Sequence, residues 1–328
     1  MGCSSAKVFP IVKKEILPKI CLGAWAWGND GTFGNNLSSK NLSSIFDLAM
    51  ENDLYLWDTA YAYGMGTSEK TLSNCIKQKK YNRNNYLISD KFTPQCIDSS
   101  AKNPFKEMIE KQLTLMNLNT FDIYWIHNVT DAPKWIEELA KYFKDKKKDE
   151  IPLIGVSNHN LSEIKQAKEI LNKYDLKLSA VQNHYSLLNT SSETSGILEY
   201  CKENNIHFFS YMVLEQGALS GKYNTKNLMP ENSERGKIYN PQMDKIETLI
   251  KELKEIADAH KVSVAIIPIA WAICKGTIPI IGVTKNDHVE DAVKAKDIKL
   301  EEEEIFHLQR VANNLKVNVI RFWEKEMV

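Results

Sequence analysis

Eight short apolar runs, each followed by a stretch with helical periodicity, constrain this chain more than any other feature. The runs are "KICLG" around Ile20, "LYLW" around Leu56, "YLISD" around Ile88, "DIYWI" around Tyr124, "PLIGV" around Ile154, "LSAVQ" around Val181, "IHFFS" around Phe208 and "IPIIG" around Ile280. They are rich in β-branched and aromatic residues, as strands covered on both faces are. Between them lie amphipathic stretches such as "SKNLSSIFDLAMEN" and "NPFKEMIEKQLTLMN", with apolar residues three and four apart. Asn103 before Pro104 and Ser162 before Glu163 mark helix starts. Unbroken alternation of this count predicts an α/β chain folded as a closed (β/α)8 TIM barrel rather than an open doubly wound sheet. No GxGxxG follows any strand, which weighs the same way. The barrel is read as a single domain over residues 1–328. An N-terminal hairpin from "KVFPIVKKEILPK" closes its floor, and a C-terminal helix led by Glu301 to Glu304 precedes a tail.

Composition narrows the partners. The 328 residues are 43% hydrophobic and 26% charged, and 42 basic residues balance 42 acidic ones, so nothing suggests nucleic acid. A small neutral molecule fits better. Cys3, Cys21, Cys75, Cys96, Cys201 and Cys274 include no CxxC pair, which speaks against a disulfide framework or a zinc site and for a reducing compartment. No run is long enough for a membrane span and no signal h-region opens the chain, so a cytoplasmic protein is expected. The opening "MGCSSA" resembles an acylation signal but has Ala6 where the motif wants Ser or Thr. The run "KDKKKDE" near Lys147 reads as a solvated helix end. The polar stretch from Lys222 to Met243 is a long insertion after the seventh strand, of the kind used as lids. Oligomeric state is not legible.

Catalytic groups of such barrels gather where the strands end. Just past the apolar runs stand Asp58 and Tyr63, Asp90 and Lys91, His127 and Asn128, Ser157 and Asn158, Gln182 and Asn183, Ser210 and Tyr211, then Gly282, Thr284 and Lys285. A tyrosine titrates near pH 10, and an adjacent ammonium lowers that value; Lys91 is the candidate ammonium, with Asp58 as its buried counter-ion. His127 can donate a hydrogen bond to a carbonyl oxygen while Tyr63 gives it a proton. This set suits carbonyl reduction. With no metal or flavin signature in the sequence, a nicotinamide nucleotide is the economical hydride source.

From about Leu17 to Lys296 the chain resembles the aldo-keto reductases. "WDTAYAYG" with "GTSEKTL", "ISDKF" and "YWIHN" are similar to the segments that carry that family's catalytic groups, which implies Asp58, Tyr63, Lys91 and His127. "IGVSNHN", "AVQNHYSLL", "SYMVLEQGALSGKY" and "PIIGVTKNDHVEDA" resemble its cofactor segments. The resemblance implies that Ser157, Asn158 and Gln182 hold the carboxamide and Tyr211 stacks on the nicotinamide. It also implies that Gln216, Gly217 and Leu219 lie by the pyrophosphate and that Lys285 and His288 lie near the adenosine phosphate end; Leu214, Gly282, Thr284 and Asp291 are further expected cofactor residues. Trp25 is expected at both cofactor and substrate. Trp27, Tyr61, Phe92, Asn128 and the Lys222–Met243 insertion complete an aromatic substrate pocket, Tyr61 standing outside the catalytic spacing. Met212 and Val213 replace a common Ser and Pro, and Ala292 a common Asn, which affects the details of cofactor grip.

The expected function is NADPH-dependent reduction of an aldehyde or ketone, or the reverse alcohol oxidation, with NADH as the weaker cofactor. The alternative is a cofactor-binding redox sensor or regulatory subunit with little turnover, a role known among relatives. A metal-dependent hydrolase would need ligands beyond Asp58 and His127.

The cofactor preference rests on "GVTKNDH", where Lys285, Thr284 and Asn286 offer charge and donors to a ribose phosphate, with Asp287 opposing if turned inward. Lys285→Ala is expected to weaken NADPH binding by about 1 to 3 kcal/mol and to leave NADH binding unchanged. Fluorescence titration of both nucleotides checks it; equal losses would remove Lys285 from phosphate recognition.

Overall fold

The structure is a computed structural model that describes residues 9–33, 37–79, 81–321, 323–325 and 327. The "MGCSSA" signal and the first residues of the expected hairpin lie outside them. The strands are β1 (Cys21–Gly23), β2 (Leu56–Asp58), β3 (Leu87–Phe92), β4 (Ile123–Ile126), β5 (Leu153–Ser157), β6 (Leu178–His184), β7 (His207–Tyr211) and β8 (Ile278–Gly282). All pair in parallel with their neighbours in chain order, and β8 closes on β1 through Cys21–Ile280, Leu22–Ile281 and Gly23–Gly282. The result is the closed eight-stranded barrel that the alternation predicts.

The helices are α1 (Ser39–Glu51), α2 (Thr67–Lys79), α3 (Pro104–Met116), α4 (Ala132–Phe143), α5 (Leu161–Asn172), α6 (Ser191–Thr194), α7 (Ile197–Glu203), α8 (Glu234–Tyr239), α9 (Met243–His260), α10 (Ile266–Cys274), α11 (Asn286–Ala295) and α12 (Glu302–Leu315). Pro104 opens α3, where its missing N–H costs nothing. The start of α5 lies two residues earlier than Ser162 suggests: the Asn160 side chain accepts from the Glu163 N–H at 3.0 Å and the Glu163 carboxylate accepts from the Asn160 N–H at 2.7 Å. Glu302 to Glu304 occupy the first turn of α12. The charged run near Lys147 is exposed. No described helix is long and apolar enough to cross a membrane.

Two corrections follow. Among the described residues 9–19 no strand forms; the segment makes a turn from Lys13 to Ile16, and the Val12 N–H bonds the Asn84 carbonyl at 2.8 Å. Prolines at positions 10 and 18 remove ladder donors near both ends of this segment. The Lys222–Met243 insertion is folded: it turns at Asn224–Asn227, forms α8 and buries Met229, Tyr239 and Met243.

The apolar core has two layers. Inside the barrel Cys21, Leu56, Leu87, Ile123, Trp125, Ala180 and Phe209 pack together, while a larger cluster fills the space between strands and helices. The Trp125 indole lies across the barrel, edge-on to Phe209 at 5.2 Å, and its N–H reaches the Ser89 hydroxyl at 2.7 Å. Gly155 makes room for it, since a Cβ there would come within 2.2 Å of the indole. Gly155→Ala is therefore expected to cost about 1 to 3 kcal/mol of stability, the range for overpacking a filled core. A urea denaturation midpoint equal to wild type would show that the indole yields freely.

Candidate active site

The barrel brings Asp58, Tyr63, Lys91 and His127 to the rim where its strands end. Asp58 closes β2, and its Oδ2 lies 2.5 Å from Lys91 Nζ of β3. The same ammonium donates to the Thr59 carbonyl at 2.8 Å and to Tyr63 Oη at 3.2 Å, so its three hydrogens are used. Asp58 Oδ1 accepts from the Ser89 hydroxyl at 2.6 Å and from the Gln182 amide at 3.3 Å. The chain Trp125, Ser89, Asp58, Lys91, Tyr63 thus runs from the barrel interior to its mouth. His127 follows β4, its Nδ1 lies 2.8 Å from the Thr93 hydroxyl, and its ring stands edge-on to Tyr63 at 5.9 Å.

Burial by itself would lower the Lys91 ammonium, but the Asp58 carboxylate, and after it Tyr63, hold it above its ordinary value. Burial pushes Tyr63 up to about 12, and the pull of Lys91 does not overcome it. The expectation that Lys91 lowers the phenol is corrected in its net direction: at neutral pH Tyr63 keeps its proton. Burial, then Lys91, pushes His127 well below its usual range, so the imidazole is neutral.

Two glycines position Tyr63. A Cβ on Gly28 would lie 2.6 Å from the Tyr63 carbonyl oxygen, and one on Gly64, at φ +68°, would lie 2.3 Å from the Gly28 carbonyl oxygen. This contact presses the Tyr63 loop onto the turn Trp25–Gly28, and Trp25 stacks on the Tyr63 ring at 5.5 Å. Trp25 is therefore on the rim. The other expected pocket aromatics are not. Trp27 is fully buried, donates to the Val283 carbonyl at 2.7 Å and packs on Trp57. Phe92 is buried against Phe105 and Trp135 behind the strands. Tyr61 is buried with its hydroxyl 2.6 Å from Lys111 Nζ on α3. Each packs into the core between strands and helices, because residues one or two positions from Trp25, Tyr63 or Lys91 need not share its direction. Asn128 stays on the rim, its side chain paired with Gln95 at 2.7 and 3.3 Å.

The expected cofactor groups ring the same mouth. Asn158, at φ 63°, accepts from the Tyr211 hydroxyl at 2.5 Å and donates to the His127 carbonyl at 3.1 Å, with buried Ser157 and Gln182 beside it. After β7 the backbone turns through Gln216 and Gly217 at φ 52° and 99°; Leu214 carries this turn, while the Leu219 side chain is wholly in the core. Lys285 caps α11 by backbone alone, with Gly282 exposed nearby. His288 Nδ1 accepts from the Thr284 N–H at 3.2 Å, and Asp291 accepts from the Ser263 hydroxyl at 2.9 Å. The Lys222–Met243 insertion meets the turn after β7 rather than the catalytic groups, through Arg235 Nη1 and the Gln216 carbonyl at 3.3 Å.

Sequence reasoning missed the tail. After α12 it returns across the mouth and sets Trp323 at 5.9 Å from Trp25 and 6.3 Å from Tyr211. Lys325 Nζ reaches Glu163 at 2.6 Å, and Glu324 reaches His184 Nδ1 at 3.1 Å. His184 Nε2 continues to buried Glu215 at 2.7 Å, which also accepts from the Tyr239 hydroxyl at 2.6 Å, and Arg321 joins Gln216 Oε1 at 3.2 Å. Burial alone would lower His184, but the two carboxylates hold it at about 9. The signal available was "RFWEK" after the last helix, a charged and aromatic run with no amphipathic period. Among the described residues no group of three or more His, Cys, Asp or Glu could hold a metal ion.

Comparison with known proteins gives one consistent likeness. The model of the "Aldo/keto reductase family" matches residues 19–313. Pyridoxal reductase, chloroplastic, of Arabidopsis thaliana is 30% identical over 312 residues, covering 91% of this chain and 84% of that protein. An aldo-keto reductase of Gibberella moniliformis is 28% identical, covering 93% and 94%. The solved glycerol dehydrogenase of Gluconobacter oxydans superposes with a TM-score of 0.78 at 22% identity, covering 96% and 97%. An aldo/keto reductase from Klebsiella pneumoniae in complex with NADP and acetate does so with 0.68 at 21% identity, covering 94% of each chain.

The buried pair generates a stability prediction. Asp58→Asn leaves the Lys91 charge without a counter-ion and is expected to cost about 3 to 5 kcal/mol. Adding Lys91→Met should recover part of the loss. A double variant whose loss in urea equals the sum of the Asp58→Asn and Lys91→Met losses would show that the pair is not coupled.

Proposed function

Because the chain belongs to the aldo/keto reductase family and is an NAD(P)H-dependent oxidoreductase, we propose that it reduces an aldehyde or ketone at this rim, with Tyr63 as proton donor and NADPH preferred over NADH. The observation that carries the reading is the line Asp58, Lys91, Tyr63 beside a neutral His127.

The residues present fit a nicotinamide nucleotide. The N-terminal N–H groups of α11 have no side-chain cap, and the cation Lys285 stands exposed there. A Cβ built on Gly282 meets nothing within 4 Å, and one on Gly217 nothing within 3.6 Å, so backbone is open at both turns. Asn158 and Gln182 offer amide groups for a carboxamide, Tyr211 an aromatic face, and Gln216, Gly217 and Leu214 a curved backbone for a pyrophosphate. When bound, the nucleotide supplies the hydride.

The chain's own groups manage the oxygen. Tyr63 holds its proton to about 12 and releases it only when a partner oxygen gains charge, as a general acid for alkoxide formation should. Lys91, 3.2 Å away, stabilises the phenolate that results. In the tautomer in which the Thr93 hydroxyl donates to Nδ1, His127 Nε2 carries the hydrogen and can donate it to the same oxygen. Trp25, stacked on Tyr63 and near Trp323, walls the approach with apolar surface, which favours aromatic carbonyl compounds. Pyridoxal, the aldehyde in the Arabidopsis relative's name, is the first compound to test.

Tyr63→Phe is expected to cut turnover of a carbonyl panel by at least about a hundredfold while NADPH affinity holds. Tyr61→Phe, whose hydroxyl faces Lys111, should retain most activity. Loss of NADPH absorbance reports turnover. Full activity in Tyr63→Phe removes that residue from the mechanism, and tight NADPH binding with negligible wild-type turnover would favour a redox sensor.

A further inference from the structure

Behind Lys91, on the outer face of β3, lies a pair of acids, Asp90 and Glu69. β2 leaves the sheet early: its last register pair is Asp58 with Ser89, followed by the rung from the Thr59 N–H to the Ser89 carbonyl at 2.9 Å. The Thr59 carbonyl that would continue the ladder is taken by Lys91 Nζ at 2.8 Å. The backbone of Lys91 is satisfied by side chains instead. Its N–H donates to Asp90 Oδ1 at 2.8 Å, and its carbonyl accepts from Gln112 Nε2 of α3 at 3.0 Å. Gln112 Nε2 also donates to Asp90 Oδ1 at 3.0 Å, which uses both amide hydrogens, and Gln112 Oε1 accepts from the Tyr124 hydroxyl at 2.5 Å.

That leaves Asp90 Oδ2 and both oxygens of Glu69, in the first turn of α2, without a donor. All are fully buried, and the two carboxyl groups lie within hydrogen-bonding reach of each other. Two carboxylates cannot both stay ionised in such a place. We propose that Glu69 and Asp90 share one proton, and that this proton holds Asp90 where it positions the Lys91 backbone, and through it the ammonium beside Tyr63.

A single hydrogen between the acids supplies the missing donor for Asp90 Oδ2 and leaves Oδ1 to its two donors. A second ionisation would drive the carboxylates apart and release the Lys91 N–H. The groups facing the pair are Lys91 of β3, Gln112 and Lys111 of α3, Tyr124 of β4, Tyr63 in the loop after β2 and Cys96 in the turn after β3. Lys91 is committed to Asp58 and Lys111 to the Tyr61 hydroxyl. Burial pushes Asp90 well above the carboxylate range and Glu69 up to about 7. Because the Glu69 value is raised on folding, its stabilisation is complete below the unfolded value of 4.5 and is lost as pH rises through about 7.

The test uses the full chain. Glu69→Gln replaces the shared proton with permanent amide hydrogens, so its thermal midpoint, relative to wild type, should climb as pH rises from 4.5 to about 7. Asp90→Ala should lower kcat for carbonyl reduction by about ten- to a hundredfold with NADPH affinity unchanged, and Asp90→Asn, which keeps Oδ1, should restore it. A constant midpoint difference across that window, or wild-type kcat in Asp90→Ala, overturns the proposal. The kcat arm rests on the reductase reading. If wild type reduces no carbonyl, that reading fails by itself, and the proposal is judged on the midpoints and on crystals of Asp90→Ala. A Lys91 Nζ to Asp58 Oδ2 distance still at 2.5 Å there overturns it. Should Asp90→Ala not fold, Glu69→Gln, of equal shape, carries the test.

Discussion

The buried ion pair of Asp58 and Lys91 is the contact on which the rest of the rim depends. Removing two charges from water costs several kcal/mol for each ion, and their attraction offsets this only when every remaining donor and acceptor is also satisfied. Here the conditions are met from five directions. Ser89, Gln182 and Lys91 serve the carboxylate, while Asp58, the Thr59 carbonyl and Tyr63 serve the ammonium. Asp58, Lys91 and Ser89 come from the neighbouring strands β2 and β3, Thr59 and Tyr63 from the loop after β2, and Gln182 reaches Asp58 from β6 across the barrel. The pair is also why burial does not strip Lys91 of its charge, and hence why a phenol beside it has a cation available at the moment it loses its proton.

How much of this could be read from residues alone depends on range. The eight strands were legible because both faces of each are covered, which writes a short apolar run into the chain. The residues at their ends were legible because the strand ends carry Asp58, Lys91 and His127 to one rim, although Asp90, beside Lys91, turns to the outer face. Direction beyond the strand end was not. Trp27 and Tyr61 lie near a catalytic or cofactor group in sequence, yet the turns that carry them rotate their rings into the helix layer. Phe92, next to Lys91, points to the opposite face of β3 by the alternation of the strand. The protonation of Tyr63 was misjudged because proximity to a lysine can be guessed from a motif, whereas the depth of burial that opposes it cannot. The charged cluster on Glu215 was also out of reach, since its members lie in β6, in the turn after β7, in α8 and in the tail.

Tail, insertion and turn form one connected unit at the mouth. Arg235 reaches the Gln216 carbonyl, Arg321 the Gln216 side chain, and Glu215 lies between His184 and Tyr239. Left-handed backbone at Glu215 and Gln216 is unfavourable for side chains of this kind and persists only where the surroundings hold it. The charged network supplies that hold. The polar insertion that resembles a lid in sequence is better described as a brace for this turn.

The backbone crossing of Gly28 and Gly64 joins two loops that a protein engineer would treat as separate modules. One carries Trp25 and shapes the wall of the mouth; the other carries Tyr63, the proposed proton donor. With carbonyl and Cα so close that no side chain fits on either glycine, neither loop can shift without displacing the other. Selectivity and rate are therefore coupled variables in this scaffold. A library that randomises the Trp25 turn samples the placement of the Tyr63 hydroxyl as well, and a loop transplanted from a relative must bring its crossing partner with it.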